Sequence, residues 1–302
     1  MERVWGGREL ERVYGRSLPD PHKPFGESWE IVDREHEQSV VDHGHLTGTS
    51  LHELWTTRRD EVFGSSFADH PRFPILIKVL DARDDLSIQV HPPVHLAASL
   101  GGDAKTEMWF IVDCNEGAKL YVGLKNGVSK SDFESSIADG TVEKCIHAIS
   151  PKPGESIFIP SGRLHAIGAG FLIHEIQQNS DTTYRVFDWN RLGLNGEPRD
   201  LHVAESIASI DFNDFEPTMD TPQGETLASC AYFKTDRKSI ASGQNIGNPV
   251  PGQFSILSVV DGELESLAGR GFGKGQFILL PQNASPLKAT RASTVLQITL
   301  PE

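Results

Sequence analysis

Two stretches of this 302-residue chain share one pattern, in which a glycine opens a short apolar run and a proline closes it. They are Gly154-Glu-Ser-Ile-Phe-Ile-Pro160 and Gly275-Gln-Phe-Ile-Leu-Leu-Pro281. Self-similarity across a large separation is typical of a duplicated structural unit. Many other short β-rich runs lie between Gly and Pro turns, which favours a jelly-roll arrangement over a parallel α/β sheet. We predict a mainly β chain with two jelly-roll barrels and a few short helices.

The spacing of turn residues suggests where the two barrels begin and end. Pro217, Pro222 and several acidic residues predict a linker over residues 211–228. The first domain then covers residues 1–210, with an N-terminal arm and short helices, and the second covers residues 229–302. We expect the first domain to carry the catalytic site.

Local patterns predict individual elements of the first domain. Strands are expected over 27–32 and 73–80, and helices over 50–63 and 200–210. The run 107–112 is read as a strand that forms a hairpin with 118–122. A capping box is expected to begin at Ser131.

Charge and hydropathy exclude several classes of partner. The net charge of −14 argues against nucleic acid, because phosphate backbones require a positive footprint. No apolar run is long enough for a membrane span, and the N-terminus lacks an apolar signal core, so we expect a cytoplasmic protein. An anionic substrate would need its own cluster of Lys and Arg in the site.

A candidate metal site begins in Leu86-Ser-Ile-Gln-Val-His-Pro-Pro93. Side chains alternate along a strand, so Gln89 and His91 project from one face, and Ile88 and Val90 from the other. By itself, a Gln and a His on one strand face are more often exposed to solvent than bound to a metal ion. The stretch that begins at Gly154 adds a ligand, because the tight turn at Pro160-Ser-Gly162 is expected to point His165 inward, across the barrel from Gln89 and His91.

The segment from Gly154 to His165 resembles the second motif of the cupin superfamily, although Ala169 stands where that motif usually has Asn. The first cupin motif normally carries His-x-His followed by Glu. The corresponding residues here are Gln89-Val-His91 and Glu107, so Gln replaces the first His. With Lys105-Thr-Glu107-Met-Trp109 and Thr182-Thr-Tyr-Arg-Val-Phe-Asp-Trp-Asn-Arg191, this pattern resembles the type I phosphomannose isomerases, which are zinc-dependent mannose-6-phosphate isomerases.

The resemblance implies a site and a reaction. Gln89, His91, Glu107 and His165 would bind one Zn²⁺ per chain, and their mixed nitrogen and oxygen donors suit a redox-inert Lewis acid. No His follows Pro281, so the second barrel is expected to be metal-free. The chain looks like the compact bacterial form. The implied reaction interconverts mannose 6-phosphate and fructose 6-phosphate through a cis-enediolate, with a small sugar phosphate as the partner and a monomer as the expected state.

Further residues are assigned by resemblance and by pattern. Arg185 resembles the active-site arginine of the family and would stabilise the enediolate, and Lys105 shares a strand face with Glu107. Lys78 interrupts an apolar strand, where an unpaired charge would be costly, so a pocket position is expected. The expected substrate-binding residues are Ser87, Lys78, Arg191 and Asp188.

Some alternatives stay open at this stage. The proton-transferring base could be Lys105, Tyr184, Asp188 or a zinc-bound water. The alternative functions are an isomerase of a related or unphosphorylated sugar, a non-catalytic sugar-binding cupin, and an iron dioxygenase. The amide of Gln89 disfavours the dioxygenase, because an amide is a poor ligand for redox iron.

Overall fold

The computed structural model describes residues 1–67 and 70–301. Its contacts group the chain into two compact units: Met1–Ser28 with Lys78–Asp220, and Trp29–Ile77 with the residues from Thr221 onward. The sequence-based division placed 29–77 in the first domain. Those residues instead pack with the distant carboxyl-terminal part, a long-range relation that no local pattern reveals.

The first unit is built on two antiparallel sheets. Its strands are β1 (Glu2–Gly7), β2 (Glu27–Ile31), β3 (Ile75–Ala82), β4 (Ile88–Val90), β5 (Glu107–Cys114), β6 (Leu120–Leu124), β7 (Ile146–Ile149), β8 (Ser156–Ile159), β9 (His165–Ile167), β10 (Phe171–Gln178) and β11 (Tyr184–Phe187). Sheet A has the order β1-β3-β10-β5-β8, with β2 beside β3, and sheet B has the order β11-β4-β9-β6-β7. The predicted mainly β fold is confirmed.

Alternating side chains fill the space between sheets A and B. Leu80, Trp109 and Ile173 from sheet A meet Val122 and Ile167 from sheet B in one buried cluster. Burying these side chains stabilises the unit by about 1.5–3 kcal/mol for each large apolar residue. On this same inward face the strands also carry the few charged residues that form the site described below.

The helices are short. They are α1 (Glu9–Tyr14), α2 (Leu51–Thr57), α3 (Arg59–Val62), α4 (Val94–Ala97), α5 (Lys130–Ala138) and α6 (Val203–Ser209), with 3₁₀ turns over Ala98–Leu100 and Val142–Cys145. The helix predicted over 50–63 is interrupted at Arg58, where φ is −131°. In the described part of the chain, no helix is long and apolar enough to cross a membrane.

Apart from β2 and β11, which have no counterparts among the described strands, the second unit repeats the strand order of the first. Its strands are β12 (Thr226–Ser229), β13 (Lys234–Ile240), β14 (Asn245–Ile246), β15 (Ser255–Asp261), β16 (Glu263–Glu265), β17 (Gly271–Gly273), β18 (Phe277–Leu280), β19 (Leu287–Ala289) and β20 (Ser293–Thr299). Sheet C runs β12-β13-β20-β15-β18 and sheet D runs β14-β19-β16-β17. Strands β8 and β18, which contain the repeated Gly-to-Pro pattern, occupy equivalent sheet edges, so the duplication inferred from sequence is visible in the topology.

Two local predictions are wrong. Strand β6 does not pair with β5, because β5 lies in sheet A between β10 and β8 while β6 lies in sheet B. The capping box of α5 is formed by Ser129 and Asp132 and does not begin at Ser131. The predicted linker over 211–228 contains the boundary after Asp220 at which the first unit ends, and its first part packs in that unit: Asp214 forms a bidentate ion pair with Arg163, both hydrogen bonds being 2.8 Å.

Candidate metal and substrate site

Three buried side chains converge in the first barrel. His91, Glu107 and His165 offer ligand atoms that all lie within 4.8 Å of one another. The Nε2 atom of each histidine lies 3.6 Å from a different carboxylate oxygen of Glu107. Among the described residues, this is the one group of His, Cys, Asp and Glu whose geometry could hold a metal ion.

The two sheets bring these residues together. In sheet B, Gln89 of β4 stands directly opposite His165 of β9 in the antiparallel register. Glu107 enters from the first position of β5 in sheet A. Gln89 and His165 are therefore neighbours on one sheet, and Glu107 comes from the other. The prediction that His165 lies across the barrel from Gln89 is wrong, because β9 was not recognised as the neighbour of β4.

Backbone carbonyls orient both imidazole rings. The Nδ1 atom of His91 lies 2.8 Å from the carbonyl oxygen of Thr182, and that of His165 lies 2.9 Å from the carbonyl oxygen of Arg163. With Nδ1–H donating to a carbonyl, the unprotonated Nε2 faces Glu107 as a ligand atom. Burial lowers the pKa of His91 to about 3, which also favours the neutral form that binds metals.

Gln89 completes the arrangement from the strand beside His165. Its Nε2 lies 3.3 Å from Nε2 of His165, while its Oε1 accepts a hydrogen bond from the Ser87 hydroxyl. The oxygen and nitrogen of an amide have nearly the same shape, so a half-turn about the last bond exchanges them. That half-turn would present the oxygen at the place where the two histidines and Glu107 meet.

Glu107 and Lys105 form a buried ion pair beside this group. The Lys105 Nζ lies 2.6 Å from Glu107 Oε2 and 3.3 Å from His91 Nε2. The other carboxylate oxygen, Oε1, faces Nε2 of His165 at 3.6 Å, so both oxygens of Glu107 are directed at cationic or metal-binding groups. Burial alone would raise the pKa of Glu107, but Lys105 and the histidines outweigh it and hold the pKa well below its usual range.

A buried carboxylate whose two oxygens each face an oriented imidazole nitrogen fits a divalent cation. Charge compensation is required because an isolated carboxylate is strongly disfavoured in an apolar interior. The donor set of two nitrogens, a carboxylate and an adjacent amide is compatible with zinc. The residues present therefore fit the metal that the sequence motif implied.

Beside this group lies a cleft of about 450 Å³ lined by residues of the first unit, and Gln89 and Lys105 connect the two, whereas His91, Glu107 and His165 do not line the cleft themselves. Four predicted residues line it together with Gln89: Lys78, Ser87, Lys105 and Arg185. Lys78 lies on the inward face of β3, and its Nζ is 3.7 Å from Oε1 of Glu175. The pocket position expected for Lys78 is confirmed, and a carboxylate that the sequence analysis did not assign to the site compensates its charge.

Glu175 is the main residue that sequence reasoning missed. It lies on β10 between Lys78 of β3 and Lys105, whose Nζ is 3.6 Å from its Oε1, and the Trp109 indole donates a hydrogen bond of 3.0 Å to its Oε2. Burial raises the pKa of Glu175, and the nearby Glu107 adds to the effect. A signal was present, because a Glu alternating with Ile173 in an apolar strand must face the same interior.

Asp188 and Arg191 were expected to bind substrate, but neither lines the cleft. Asp188 forms two hydrogen bonds of 2.6 Å with Arg199 and two with Arg191, at 2.9 and 3.2 Å. Arg199 does line the cleft and was not predicted. In this network of three charged side chains, Asp188 does not line the cleft but holds Arg199, which does.

Tyr184 is a poor candidate for the base that transfers the substrate proton. Its hydroxyl donates a hydrogen bond of 2.8 Å to the carbonyl of Leu100, and its ring packs in the apolar cluster outside sheet B. Asp188 is an equally poor base, because burial would raise its pKa but Arg199 and Arg191 outweigh burial and lower it. Lys105 and Glu175 are the titratable groups that lie both in the cleft and beside the ligand group.

The second barrel has apolar or small residues where the first has its ligands. Ile246 and Leu287 lie opposite each other on β14 and β19, and they correspond to Gln89 and His165 on β4 and β9. Ser255 is the first residue of β15, as Glu107 is the first residue of β5. Ile246 and Leu287 belong to the buried core of that barrel. A duplicated jelly roll with one ligand group defines a cupin that has a candidate metal centre in its first barrel.

Comparisons with known proteins identify the family. Residues 1–122 match the family described as "Phosphomannose isomerase type I, catalytic domain". The mannose-6-phosphate isomerase ManA of Bacillus subtilis is 36% identical over 303 residues, covering 95% of this chain and 92% of the relative. A mannose-6-phosphate isomerase of Streptococcus mutans is also 36% identical, covering 93% and 89%.

A solved structure agrees with these relatives. The crystal structure of the mannose 6-phosphate isomerase from Bacillus subtilis superposes with a TM-score of 0.88 at 33% identity, covering 99% of this chain and 97% of the other. The chain belongs to the type I phosphomannose isomerases.

Proposed function

We propose that the chain catalyses the reversible interconversion of mannose 6-phosphate and fructose 6-phosphate. The observation that carries the proposal is the buried group of His91, Glu107 and His165 beside a cleft that several Lys and Arg side chains line together with acidic ones, in a chain of this family. The reaction needs a polarising centre next to the sugar carbonyl and positive charge along the sugar phosphate. Both requirements have candidate residues in the first unit.

The metal is proposed to be zinc, held by Gln89, His91, Glu107 and His165. The neutral state of the imidazoles and the ionised state of Glu107 are the forms that bind metal. A bound zinc ion would act as a Lewis acid toward the sugar oxygens.

Lys105 and Glu175 are the proposed proton-handling pair. Interconversion requires a base to remove the proton from C2 of the aldose and return it to C1 of the enediolate, with the reverse transfer in the other direction. Burial alone would lower the pKa of Lys105, but Glu107 and Glu175 outweigh it and keep the ammonium charged. Glu175, whose pKa is raised, suits the base, and Lys105 suits the cation that stabilises negative charge on the enediolate oxygens.

Arg185 is proposed to stabilise the negative charge that forms on the enediolate oxygens. In the described part of the chain its guanidinium has no hydrogen-bond partner, and it lines the cleft. An unpaired guanidinium matches the oxygens of an enediolate or a phosphate with paired hydrogen bonds. Ser87 and Lys78 line the same cleft and are proposed as further substrate contacts.

Metal analysis coupled to turnover tests the function. We expect the purified protein to contain zinc, to convert both sugar phosphates, and to lose activity with a chelator until zinc is restored. His165→Asn should abolish metal binding and turnover. His174→Asn is the matched control, because His174 is equally buried on β10, the next strand along the chain, but contacts Tyr14 outside the site. A zinc-loaded protein that converts neither sugar phosphate would refute the proposal.

Two variants separate the acid–base roles. In deuterated solvent, the wild-type enzyme should exchange the transferred hydrogen of fructose 6-phosphate. Glu175→Gln should abolish this exchange while zinc stays bound. Lys105→Gln should slow turnover yet leave residual exchange; the reverse pattern would make Lys105 the base. A cytoplasmic location and a monomeric state stay predictions, which cell fractionation and sedimentation would test.

A further inference from the structure

The sequence contains two Asn-Gly pairs, Asn126-Gly127 and Asn195-Gly196, and both lie in exposed segments of the first unit. In such a pair the backbone nitrogen of the glycine can attack the side-chain amide of the asparagine, because a residue without Cβ leaves the approach open. The two pairs differ in their hydrogen-bond partners. Those partners decide which pair reacts.

Asn195 lies at the tip of a hairpin beyond β11. The Gly193 amide donates a hydrogen bond of 2.7 Å to the carbonyl of Glu197, and the Gly196 amide donates one of 3.0 Å to the carbonyl of Gly193. Gly196 has a φ of 79°, and among the described residues no atom beyond its chain neighbours lies within 4 Å of the position that a Cβ would take. The tip is therefore open to water, which can remove the proton of the Gly196 amide.

The side-chain amide of Asn195 is already polarised for attack. Its Oδ1 accepts a hydrogen bond of 3.1 Å from the backbone N–H of Glu197. When the Gly196 nitrogen attacks Cγ, negative charge forms on Oδ1, and a donor already in place stabilises that charge. The Nδ2 group, which must leave, has no hydrogen-bond partner in the part of the chain that the structure describes.

Asn126 is held in the opposite way. Its Nδ2 donates a hydrogen bond of 2.6 Å to Oε2 of Glu216, and its backbone amide donates one of 3.2 Å to Oε1. Glu216 thus retains the group that would have to leave, and its negative charge opposes the charge that would form on Oδ1 of Asn126. The pair Asn126-Gly127 is a protected counterpart in the same unit.

We propose that Asn195 is a site of spontaneous deamidation and that Glu216 protects Asn126. The Gly196 nitrogen loses its proton to solvent and forms a bond to Cγ of Asn195, and the bond from Cγ to Nδ2 breaks as ammonia leaves. The cyclic succinimide then takes up one water and opens to aspartate or isoaspartate at position 195. One water is consumed and one ammonia is released, and nothing is oxidised or reduced.

Both products change the wall of the cleft, which Asn195 lines together with Leu194 and Arg199. Aspartate adds a negative charge there, and isoaspartate also lengthens the backbone of the hairpin by one methylene group. The effect on turnover rests on the proposed function. A cleft that binds a sugar phosphate should bind it more weakly as the modified fraction grows, because the new carboxylate repels the substrate.

Peptide mapping by mass spectrometry after prolonged incubation measures the modification directly. Asn195 should deamidate about tenfold or more faster than Asn126, the effect of one hydrogen bond in the transition state. The rate at Asn195 should rise with pH, because the Gly196 amide must lose its proton before the attack. Equal rates at the two asparagines, or modification of Asn126 alone, would overturn the proposal.

Two variants test the causes, and thermal melting shows whether each is folded. Glu216→Gly removes the carboxylate at a residue whose φ of 44° suits glycine, so Asn126 should deamidate faster. Glu197→Pro removes the N–H that donates to Oδ1 of Asn195, so modification there should become slower. An unchanged rate at Asn126 in Glu216→Gly would refute the protection, and an unchanged rate at Asn195 in Glu197→Pro would refute the role of the donor.

The activity of aged protein separates this proposal from the isomerase function. Asn195→Ser cannot form the succinimide and should keep its own starting activity while the wild type loses activity in proportion to the modified fraction. Modification without loss of activity would refute the effect on the cleft. A protein that forms isoaspartate at position 195 but converts no sugar phosphate would refute only the reaction, and an active isomerase whose Asn195 stays intact would refute only the modification.

Discussion

Replacing Lys105 with Met is expected to weaken the metal-free protein and at the same time tighten metal binding. Lys105 Nζ lies 2.6 Å from Glu107 Oε2 and 3.3 Å from His91 Nε2, so the ammonium stands beside the atoms that would bind the metal. A divalent cation at those atoms must share Glu107 with this ammonium. The substitution removes the competing charge and preserves most of the volume of the side chain.

The magnitudes follow from charge and burial. Breaking a buried ion pair by removing one partner costs about 3–5 kcal/mol, so the free energy of unfolding of the metal-free protein should fall by about that amount. Relief of repulsion between the ammonium and a dication a few ångströms away is worth at least about 3 kcal/mol at an effective dielectric constant of about 20. Each 1.4 kcal/mol corresponds to about tenfold, so zinc affinity should rise about 100-fold or more.

Zinc titration against a chromophoric chelator and thermal melting with and without metal measure both effects. Lys78→Met is the matched control: its Nζ lies 3.7 Å from Glu175 on another strand, so zinc affinity should change much less. Turnover should fall in Lys105→Met despite the tighter metal. Equal or weaker zinc binding in Lys105→Met would refute the view that the ammonium competes with the metal for Glu107.

Three other changes have defined outcomes. Gln89→Ala should lower zinc retention during dialysis, measured by metal analysis; full retention would exclude Gln89 as a ligand. Arg185→Ala should keep zinc and lower turnover by about 100-fold or more, since the group is proposed to stabilise charge formed during the reaction; loss of zinc would assign it to structure. Burial raises the pKa of Asp81 to about 6, although two backbone N–H groups donate hydrogen bonds to its carboxylate. The neutral carboxyl is therefore favoured in the folded protein, and its contribution to stability is complete below about pH 4 and lost as the pH rises through 6. Denaturant unfolding should show Asp81→Asn gaining stability relative to the wild type between pH 4 and 6, and a constant difference across that range would contradict the assignment.

Residues that belong to continuous local patterns could be placed from the sequence. The alternation in the strand around Gln89 predicted which side chains face the ligand group, and the tight turn before His165 predicted that this residue points inward. Lys105 and Lys78 were placed in the cleft because a charge in an apolar strand needs compensation. These inferences depend on the period-two geometry of a strand, which the sequence displays directly.

Features that depend on sheet order could not be predicted in the same way. A strand that crosses to the opposite sheet and one that forms a hairpin have the same alternation, so the true neighbours of β6 were not visible. Glu175 shares a strand face with Ile173, but its nearness to Lys78 and Lys105 depends on the order of the strands in the sheet. Arg199 follows a loop of Gly, Asn and Pro, and only the long-range contact with Asp188 gives it a direction.

The two barrels are under different constraints during evolution, because apolar or small residues in the second barrel stand where the first barrel has its candidate metal ligands. In the first barrel, a replacement of Glu107 or His165 must preserve charge, protonation and direction, so few amino acids are acceptable. In the second barrel, the equivalent position Leu287 needs only to fill space in a packed interior, where residues of similar volume exchange with little loss, while Ser255 forms hydrogen bonds with Asn248 and Gln297. Sequence drift among relatives should therefore be fast in one half of the chain and slow in the other, although both halves have the same strand order.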